Sequence, residues 1–454
     1  MKHIFTLSLL LAILSLSAFA ETKKLGDYEV SLKTSRADAI YCIGDKAEFI
    51  LSVKKGGKDF SGANITYQIS KDSVAPITFG TKDNIASREV FEGTLNEAGF
   101  LKCKIFVKFP DKKKSLEMLA GAGFSPLEIK PSMPVPDDFQ SYWQEQKDIL
   151  KDIPMNIKIT PCNDVLKAHK SVPKRVKDAV DMFHIRADTF NGKLDAYMLM
   201  PKNAKPKSLP IIIQPHGAGV RLSRFGGYFG VAEFAAKGFL ALDFNALGLD
   251  SSMSPDELEK AKKEHRGYAL KNAANRDTNF FRTLYLRVCR AMDIAMAQPQ
   301  WDGKTLVLFG TSQGGGQAIA GAGLYNDKVT MVCPFVPAIC DQTGVAKGRV
   351  NGWPHYIKAN SKTGIYGEYD KNLFNAIRYI DAMNFAAFIK AKTVYVIDLS
   401  DPVCEPTSCY AAYANIKAPK KLITNPEARH TVPRQCYLDV MEMVVEHAKE
   451  MKNK

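Results

Sequence analysis

The fold of this chain is decided by the stretch Gly310-Thr311-Ser312-Gln313-Gly314-Gly315-Gly316. The stretch begins with the pattern G-x-S-x-G, follows the apolar, β-rich residues 305–309 and precedes the small residues 317–322. A strand, a sharp turn and a helix in this order form the nucleophile elbow of an α/β-hydrolase, in which glycines flank the serine because the turn is tight. The pattern therefore predicts that Ser312 is a nucleophile. The alternative is a glycine-rich loop whose serine only caps the helix.

The first twenty residues are typical of a secretory signal peptide. Lys2 and His3 form a short basic start, residues 5–16 are almost wholly apolar, and Ala18-Phe19-Ala20 resembles a cleavage site. The apolar run is too short to span a bilayer. We therefore predict a signal peptide over residues 1–20 and an exported bacterial protein, periplasmic or secreted, without membrane contact after cleavage. An uncleaved membrane anchor is the alternative.

The composition is that of a globular protein. Hydrophobic residues make up 46% of the 454-residue chain and charged residues 24%, and the length predicts two or three domains. The formal charge is +14, and removal of Lys2 with the signal peptide would leave 14 − 1 = +13. The basic residues are interspersed with acidic ones, and no nucleic-acid-binding motif is present in the sequence. A nucleic-acid partner is therefore not expected.

The nine cysteines are compatible with disulfides in an exported protein, although the odd number leaves at least one unpaired. Cys42 and Cys103 are the only two in the N-terminal region and lie in or beside strand-like runs, so we predict that they pair. The sequence contains no C-x-x-C motif and no histidine at ligand spacing. No metal and no cofactor are predicted.

Residues 21–130 are predicted to form a small all-β domain. Short β-rich runs occupy residues 28–32, 48–53, 65–69 and 100–109, and glycines separate them. Short strands with regular turn signals favour a sandwich, and the length fits one immunoglobulin-like module. The runs show no aromatic stripe that would indicate a sugar-binding platform. A spacer or dimerisation module is therefore the favoured role.

Residues 131–454 are predicted to form an α/β-hydrolase domain. Prolines at the start of this region mark a linker, and Asn191-Gly192 between two β-rich runs predicts a hairpin with a type I′ turn. Helices and strands alternate along the rest of the region, which predicts a mostly parallel sheet with helices on both faces. The predicted helices are residues 139–150, 230–237 and 280–297, and the predicted strands include residues 211–213, 238–243 and 393–397.

A second motif follows the strand at residues 211–213. Gln214-Pro215-His216-Gly217-Ala218-Gly219 has the H-G-x-G pattern that supplies half of the oxyanion hole in an α/β-hydrolase. The backbone N–H groups of Ala218 and of Gln313, the residue after the nucleophile, are the predicted donors. His216 is predicted to be a structural loop residue because it precedes the serine and lies in this loop.

The catalytic base should follow the serine, because the order in this fold is Ser, Asp, His. The candidates are His355, His430 and His447. His447 lies in the terminal helix among charged neighbours and is predicted to be on the surface. His355 lies in an insertion-like stretch without a preceding strand. Only His430 follows a strand, at residues 422–423, and we predict that it is the base.

Two carboxylates follow the strand at residues 393–397. Asp401 lies in a loop with Pro402, from which its side chain could reach an imidazole, and Asp398 at the strand end is the alternative. In the predicted mechanism His430 takes the proton of Ser312, while Asp401 orients the imidazole and stabilises its charged form. An acyl-enzyme forms and is hydrolysed in a second step.

These motifs resemble the acetyl xylan esterase/cephalosporin-C deacetylase family, carbohydrate esterase family 7. The elbow resembles the family's G-x-S-Q-G-G-G, and residues 401–408 resemble its acid loop D-x-V-C-P-P-S-T, which favours Asp401 over Asp398. Other similar stretches are Pro136-Asp137-Asp138-Phe139, Tyr142-Trp143, Tyr285-Leu286, Arg290-Ala291 and Tyr379-Ile380-Asp381-Ala382-Met383-Asn384-Phe385-Ala386.

The chain departs from the family pattern at three places. Asp243-Phe244-Asn245-Ala246-Leu247-Gly248 stands where the family usually carries R-G-Q-G, Ala218 replaces the tyrosine of H-G-Y, and His430-Thr431 replaces H-E. The departures leave the proposed triad intact and affect substrate choice. The stretch Asn245-Ala246-Leu247 is the first candidate for a change in specificity.

The resemblance implies deacetylation of small acetylated sugars such as acetylated xylo-oligosaccharides, and the family's ring-shaped hexamer makes a homo-oligomer a candidate assembly. Two other functions are considered. A serine peptidase of the prolyl-oligopeptidase type shares the elbow, but about 110 N-terminal residues cannot hold a multi-bladed propeller. A non-catalytic carbohydrate-binding protein on a hydrolase scaffold would not need Ser312, Asp401 and His430 together.

Overall fold

The computed structural model of the protein describes residues 21–72, 74–226, 230–360, 363 and 366–453. The predicted signal peptide, residues 1–20, lies outside these ranges. Within them, no helix combines the length and the apolar character needed to cross a bilayer.

Two β-sheets make up the N-terminal region, as the sequence predicts. One has the order β1-β2-β4-β5, with β8 also paired to β4, and the other has the order β3-β10-β9-β6-β7. Inward-facing side chains of both sheets, such as Val30, Leu51 and Val107, form one buried cluster. The strands are β1 (Glu21–Leu25), β2 (Tyr28–Thr34), β3 (Ile40–Tyr41), β4 (Ala47–Lys55), β5 (Lys58–Asp59), β6 (Ala63–Lys71), β7 (Ala75–Ile85), β8 (Arg88–Gly93), β9 (Gly99–Lys108) and β10 (Ser115–Phe124).

The predicted disulfide between Cys42 and Cys103 is wrong. Cys103 is fully buried in β9, where it faces the core between the two sheets, whereas Cys42 is exposed beyond the end of β3. The prediction rested on proximity to a strand, but one side chain is exposed to solvent and the other lies in the core. All nine cysteines, which fall within the described ranges, are free thiols.

A larger mixed sheet follows the N-terminal region. Its described strands have the order β11-β12-β13-β15-β14-β16-β17-β18-β19, antiparallel from β11 to β15 and parallel from β15 to β19. The strands are β11 (Lys158–Pro161), β12 (Val180–Thr189), β13 (Gly192–Pro201), β14 (Leu209–Pro215), β15 (Leu240–Phe244), β16 (Trp301–Thr311), β17 (Met331–Phe335), β18 (Lys392–Asp398) and β19 (Lys420–Asn425).

Helices cover both faces of this sheet. Ile211 and Ile213 of β14 belong to one buried cluster and Ile212 belongs to another, as expected for a strand whose alternate side chains face two apolar layers. The helices are α1 (Phe139–Lys151), α2 (Asn163–Ala168), α3 (Lys174–Ala179), α4 (Ala232–Ala236), α5 (Pro255–Glu264), α6 (Phe280–Met296), α7 (Gln313–Leu324), α8 (Lys371–Ile377), α9 (Ala382–Ala386), α10 (Pro406–Asn415) and α11 (Arg434–Lys452). The predicted α/β architecture is confirmed.

The hairpin between β12 and β13 is confirmed, but its turn differs from the prediction. Thr189 pairs with Gly192, so the central residues are Phe190 and Asn191 rather than Asn191 and Gly192. Asn191 has φ 51° and Phe190 is outside the positive-φ region. A type I′ turn needs positive φ at both central residues, so the turn is of another type.

The all-β elements end at Phe124 and α1 begins at Phe139. The predicted domain boundary at residue 130 lies between them. Ala39, Phe100 and Ile129 belong to the same buried cluster as one face of the mixed sheet, so the N-terminal sheets pack directly on the α/β region.

Candidate active site

Ser312 stands at a sharp turn between β16 and α7. Its φ and ψ are 60° and −124°, which is a strained conformation for a residue with a side chain. A Cβ on Gly310 would lie 2.2 Å from the carbonyl oxygen of Gly314, and a Cβ on Gly314 would lie 2.2 Å from the carbonyl oxygen of Pro215. The glycines at these positions are therefore required by the close approach of the backbone.

Helix α7 begins at Gln313, four residues earlier than the sequence predicts. Glycine disfavours a helix in isolation, so the run Gly314-Gly315-Gly316 predicts a turn. In the structure these residues form the first turn of α7 and pack against neighbouring backbone, with a Cβ on Gly316 only 2.4 Å from the carbonyl oxygen of Ala338. Tertiary packing thus outweighs the intrinsic propensity.

Three predicted residues from separate loops meet at this turn. His430 Nε2 lies 3.0 Å from Ser312 Oγ, and His430 Nδ1 lies 2.7 Å from Asp401 Oδ2. Asp401 follows β18, His430 follows β19, and both strands lie on the same side of β16 in the parallel part of the sheet. The contacts have the geometry of a nucleophile, a base and an orienting acid.

The Asp401 carboxylate is held by its own loop. The side chain is fully buried, and Oδ1 accepts the backbone N–H groups of Val403 (2.7 Å) and Cys404 (3.0 Å). These bonds leave Oδ2 directed at His430 Nδ1. The carboxylate is therefore fixed in orientation before any substrate binds.

The alternative acid, Asp398, is engaged elsewhere. Its Oδ1 accepts a hydrogen bond from Asn425 Nδ2 at 2.7 Å, and its hydrogen bonds do not include His430 among the described residues. Burial raises the pKa of the Asp398 carboxyl to about 7. Asp398 is therefore a buried acid at the end of β18.

The predicted oxyanion loop lies beside the nucleophile, since a Cβ on Gly217 would be 3.9 Å from the Ser312 Cβ. Its His216 is buried with Nε2 2.6 Å from Asp243 Oδ2, and the backbone N–H of Arg224 donates to Asp243 Oδ1 at 2.6 Å. Burial raises the pKa of Asp243, and the His216 contact opposes that effect. His216 thus links two loops, and its hydrogen bonds among the described residues do not include Ser312.

Tyr268 is a residue of the site that the sequence analysis missed. Its hydroxyl accepts the backbone N–H of Gly219 at 3.0 Å and donates to Gln313 Oε1 at 2.7 Å. It therefore links the oxyanion loop to the first residue of α7, whose N–H has no acceptor within the helix. Tyr268 lies in a single helical turn after α5, without a recognisable motif.

The prediction that His447 is on the surface is wrong. His447 is 5% exposed, and its Nε2 lies 3.1 Å from Thr330 Oγ1. Val440, Val444 and His447 follow helical spacing on the buried face of α11, which outweighs the charged neighbours in sequence. His355 contacts the carbonyl oxygen of Asn351 through Nδ1 at 2.7 Å, so neither histidine replaces His430.

A model of the acetyl xylan esterase (AXE1) family matches residues 127–442. The chain is also 27% identical to acetyl esterase Axe7A from Xylanibacter ruminicola over 440 residues, which cover 94% of this chain and 93% of the relative. The chain belongs to the acetyl xylan esterase family. It is therefore a carboxylic ester hydrolase with acetyl xylan esterase activity.

Solved structures of the family share the fold. An acetyl xylan esterase from Paenibacillus sp. R4 matches with a TM-score of 0.57 and 23% identity, over 70% of this chain and 97% of that chain. Acetyl xylan esterase 1 from Thermoanaerobacterium sp. JW/SL YS485 matches with a TM-score of 0.55 and 21% identity, over 71% and 97%. These matches confirm the α/β-hydrolase fold class.

A cleft of about 780 Å³ opens over Ser312 and His430. Its other lining residues include Ala218 and Thr431, which stand at two of the departures from the acetyl xylan esterase pattern. Polar, cationic and aromatic side chains share the wall, namely those of Ser171, Arg221, Arg224 and Trp353. The cleft has room for a sugar unit beside the nucleophile.

Within the departure Asp243-Phe244-Asn245-Ala246-Leu247-Gly248, Asp243 lines the cleft, whereas the stretch Asn245-Ala246-Leu247 does not. Asn245 is fully buried, its Nδ2 donates to the carbonyl oxygen of Leu249 at 2.7 Å, and its Oδ1 accepts the N–H of Leu249 at 2.8 Å. Among the described residues, those lining the cleft include none from 245–247. The stretch Asn245-Ala246-Leu247 therefore forms a structural turn outside the cleft lining, and its effect on specificity stays a prediction.

In the part of the chain that the structure describes, two clusters place metal-type ligand atoms within 4.8 Å of one another: Asp401, Cys404 and His430, and His184, Asp195 and Asp250. In the first, Asp401 and His430 are bonded to each other, and burial raises the pKa of the Cys404 thiol well above its usual range, which keeps it protonated. In the second, Arg186 Nη1 lies 2.9 Å from Asp195 Oδ2, so a fixed cation already neutralises the carboxylate. Neither donor set favours a metal ion, and the absence of a metal stays a prediction.

Proposed function

We propose that this protein is an exported serine esterase that removes acetyl groups from acetylated xylo-oligosaccharides or related small acetylated sugars. The observation that carries the proposal is the contact chain from Ser312 Oγ through His430 to Asp401, with distances of 3.0 and 2.7 Å. The family establishes ester hydrolysis, and this contact chain supplies a nucleophile, a base and an acid for it.

In the acylation step, His430 Nε2 accepts the Ser312 hydroxyl proton as Oγ attacks the acetyl carbonyl carbon. The negative charge passes to the carbonyl oxygen, where the N–H groups of Ala218 and Gln313 would stabilise it. Collapse of this intermediate breaks the bond to the sugar oxygen, which takes the proton from His430. The sugar alcohol leaves and acetate stays bound to Ser312 as an ester.

In the deacylation step, a water molecule replaces the sugar. His430 takes a proton from the water, whose oxygen attacks the acetyl-enzyme, and the same donors stabilise the second oxyanion. The bond between the acetyl carbon and Ser312 Oγ breaks, Oγ takes the proton from His430, and acetic acid leaves. Asp401 keeps His430 in one tautomer and stabilises its charged form throughout both steps.

The substrate part of the proposal rests on the cleft and on the relatives. An acetyl group needs little space beside Ser312, while the remaining cleft and the indole of Trp353 can accept a sugar ring. The acetyl esterase relative of Xylanibacter ruminicola matches along nearly all of its length. Export rests on the sequence of residues 1–20, and a homo-oligomer stays a prediction.

The two other functions, a peptidase and a binding protein, predict different structural features. A prolyl-oligopeptidase would be expected to carry a propeller, whereas the described N-terminal strands form two sheets around one core. A binding protein would not need Ser312 to be hydrogen-bonded to an oriented histidine. Labelling of Ser312 by a fluorophosphonate probe would argue against the binding protein, because labelling needs an activated serine.

The direct test is acetate release from acetylated xylo-oligosaccharides by residues 21–454. We expect Ser312→Ala to lose turnover while its circular dichroism and Tm match those of the parent protein. The matched control is Ser61→Ala, because Ser61 is exposed in the N-terminal region. Unchanged turnover in Ser312→Ala would overturn the proposal.

A further inference from the structure

A buried lysine of the N-terminal region contacts the proposed catalytic acid. Lys102 in β9 is 1% exposed, its Nζ donates to the backbone carbonyl oxygen of Asp401, and the same Nζ lies 3.2 Å from Glu405 Oε2. Lysine is almost never fully buried without partners, because loss of hydration disfavours its charge. The acid loop, residues 399–405, therefore receives a charged partner from outside the hydrolase region.

Strand β9 separates two buried layers. Leu101 and Cys103 belong to the core between the N-terminal sheets, whereas Phe100 belongs to the cluster that covers the mixed sheet. Lys102 and Phe100 are two positions apart, so they project from the same face of the strand. This face carries Lys102 to the acid loop.

The neighbouring strand, β10, also contacts the acid loop. The backbone N–H of Gly121 donates to Ser400 Oγ at 2.9 Å, and a Cβ on Gly121 would lie only 2.1 Å from the carbonyl oxygen of Leu399. Ser400 Oγ donates in turn to the carbonyl oxygen of Pro426 at 3.0 Å, and the Ser400 N–H donates to that of Ala428 at 3.1 Å. Ser400 thus joins β10, the acid loop and the segment that leads to His430.

The histidine loop, residues 426–430, has its own contact with the N-terminal sheets. Arg429 is bonded to Glu117 of β10 through Nη2, and its Nη1 lies 3.5 Å from Oε1 of Glu21 in β1. The guanidinium lowers the pKa of Glu117, against the effect of burial. Because Arg429 precedes His430, the N-terminal sheets contact the loops of both the acid and the base.

We propose that the N-terminal β-sandwich is part of the catalytic apparatus, because it holds the acid loop and the histidine loop in register. Lys102 is the positioning residue that fixes the main chain of Asp401. The inference rests on the proposed role of Asp401 in the triad. It assigns a function to a region that precedes the family match at residues 127–442.

The effect of Lys102 on the reaction follows from the bonds of Asp401. The carboxylate is oriented through Val403, Cys404 and His430, whereas Lys102 satisfies the buried carbonyl of the same residue. Without that donor the carbonyl would lose its charged partner and the peptide could turn toward another one. A displacement of about 1 Å in a catalytic group can cost on the order of 100-fold in rate.

The experiment compares Lys102→Met with the double variant Lys102→Met/Glu405→Gln. In the parent protein burial raises the pKa of the Glu405 carboxyl to about 7 although Lys102 lowers it, and the single variant removes that opposing effect, so some loss of stability is expected. The double variant removes both charges, and we expect its Tm to return toward that of the parent. In both variants kcat for acetate release should fall roughly 10- to 100-fold with KM nearly unchanged, because orientation and not substrate binding is lost.

Two further measurements separate positioning from general stability. The rate of fluorophosphonate labelling of Ser312 should fall in parallel with kcat, since labelling also needs the oriented base. Lys82→Met is the control, because Lys82 pairs with Glu89 at 2.6 Å within the N-terminal sheets. We expect its kcat to equal that of the parent.

Folded Lys102→Met protein with parental kcat and labelling rate would overturn the inference. Recovery of kcat together with Tm in the double variant would also overturn it, because the lysine would then act only on stability. Failure of the proposed function is recognised separately, since Ser312→Ala would keep its turnover in the same assay.

Discussion

Tyr268 connects the proposed oxyanion hole to the helical insertion between β15 and β16. Its hydroxyl is the acceptor for the Gly219 N–H and the donor to Gln313 Oε1. Both contacts are close to the N–H groups that we assign to the oxyanion. A hydroxyl at this point keeps the loop of Gly219 at a fixed distance from the start of α7.

We expect Tyr268→Phe to lower kcat about tenfold, equivalent to about 1.4 kcal/mol, because two hydrogen bonds beside the oxyanion hole are lost. KM should change little, since Tyr268 is absent from the described residues that line the cleft. Steady-state kinetics of acetate release measure both constants. The control is Tyr369→Phe, which removes a hydroxyl from an exposed ring stacked on Phe374. Parental kcat in Tyr268→Phe would contradict the positioning role.

Among single residues, the sequence best predicts a side chain of the site where a motif surrounds it. Ser312 and His430 have local patterns, and the structure brings them together. The loop position and the family resemblance favoured Asp401 over Asp398, but both acids lie at the same strand end, and the hydrogen bonds of the folded chain are what distinguish them. Tyr268 has no pattern, since its role depends on a contact with a residue 45 positions away.

Among the strands and helices, β18 ends in Asp398, whose burial makes ionisation of the carboxyl unfavourable. Burial raises the pKa of Asp398 to about 7, and that of Glu405 and Glu427 in the adjacent segments to about 7 as well. An Asp whose pKa is higher in the folded than in the unfolded state stabilises the fold while it is protonated. Its contribution is fully present below the unfolded pKa and is lost as the pH rises through about 7.

We therefore expect the free energy of unfolding to decrease between pH 5 and pH 8, by up to about 3 kcal/mol for Asp398, because one pKa unit corresponds to about 1.4 kcal/mol. Asp398→Asn should flatten this dependence, since an amide has no proton to lose. Urea unfolding at several pH values measures it. The control is Asp178→Asn, because Asp178 is exposed. If the free energy of unfolding of Asp398→Asn changed with pH as steeply as that of the parent protein, burial would not be raising the pKa of Asp398.

For some strands, the sequence pattern alone is sufficient to predict the element. Continuous apolar runs predicted β14 and β18, because a strand buried on both faces has no alternation. The start of α7 and the turn after β12 were not predicted correctly. In each case a glycine occupies a position that packing or strand register determines, and these depend on residues distant in sequence.

In the whole molecule, the N-terminal sheets pack against the hydrolase region and contact its acid loop and its histidine loop. The sequence predicted a spacer or dimerisation module, because its strands lacked an aromatic sugar platform. That prediction could not include Lys102, which contacts Asp401 across 299 positions of sequence. A lysine in a strand pattern indicates a solvated face unless the partner surface is known.

In the proposed mechanism, Ser312 carries the acetyl group during the reaction. The most direct measurement is mass spectrometry of the peptide that contains Ser312, after residues 21–454 are mixed with an activated acetyl ester and quenched in acid during turnover. We expect an acetyl group on Ser312 in the parent protein and none in His430→Ala, because the serine would no longer be activated. If turnover were rapid with Ser312 unmodified at every quench time, and if Ser312→Ala kept that turnover, Ser312 would not be the residue that carries the acetyl group.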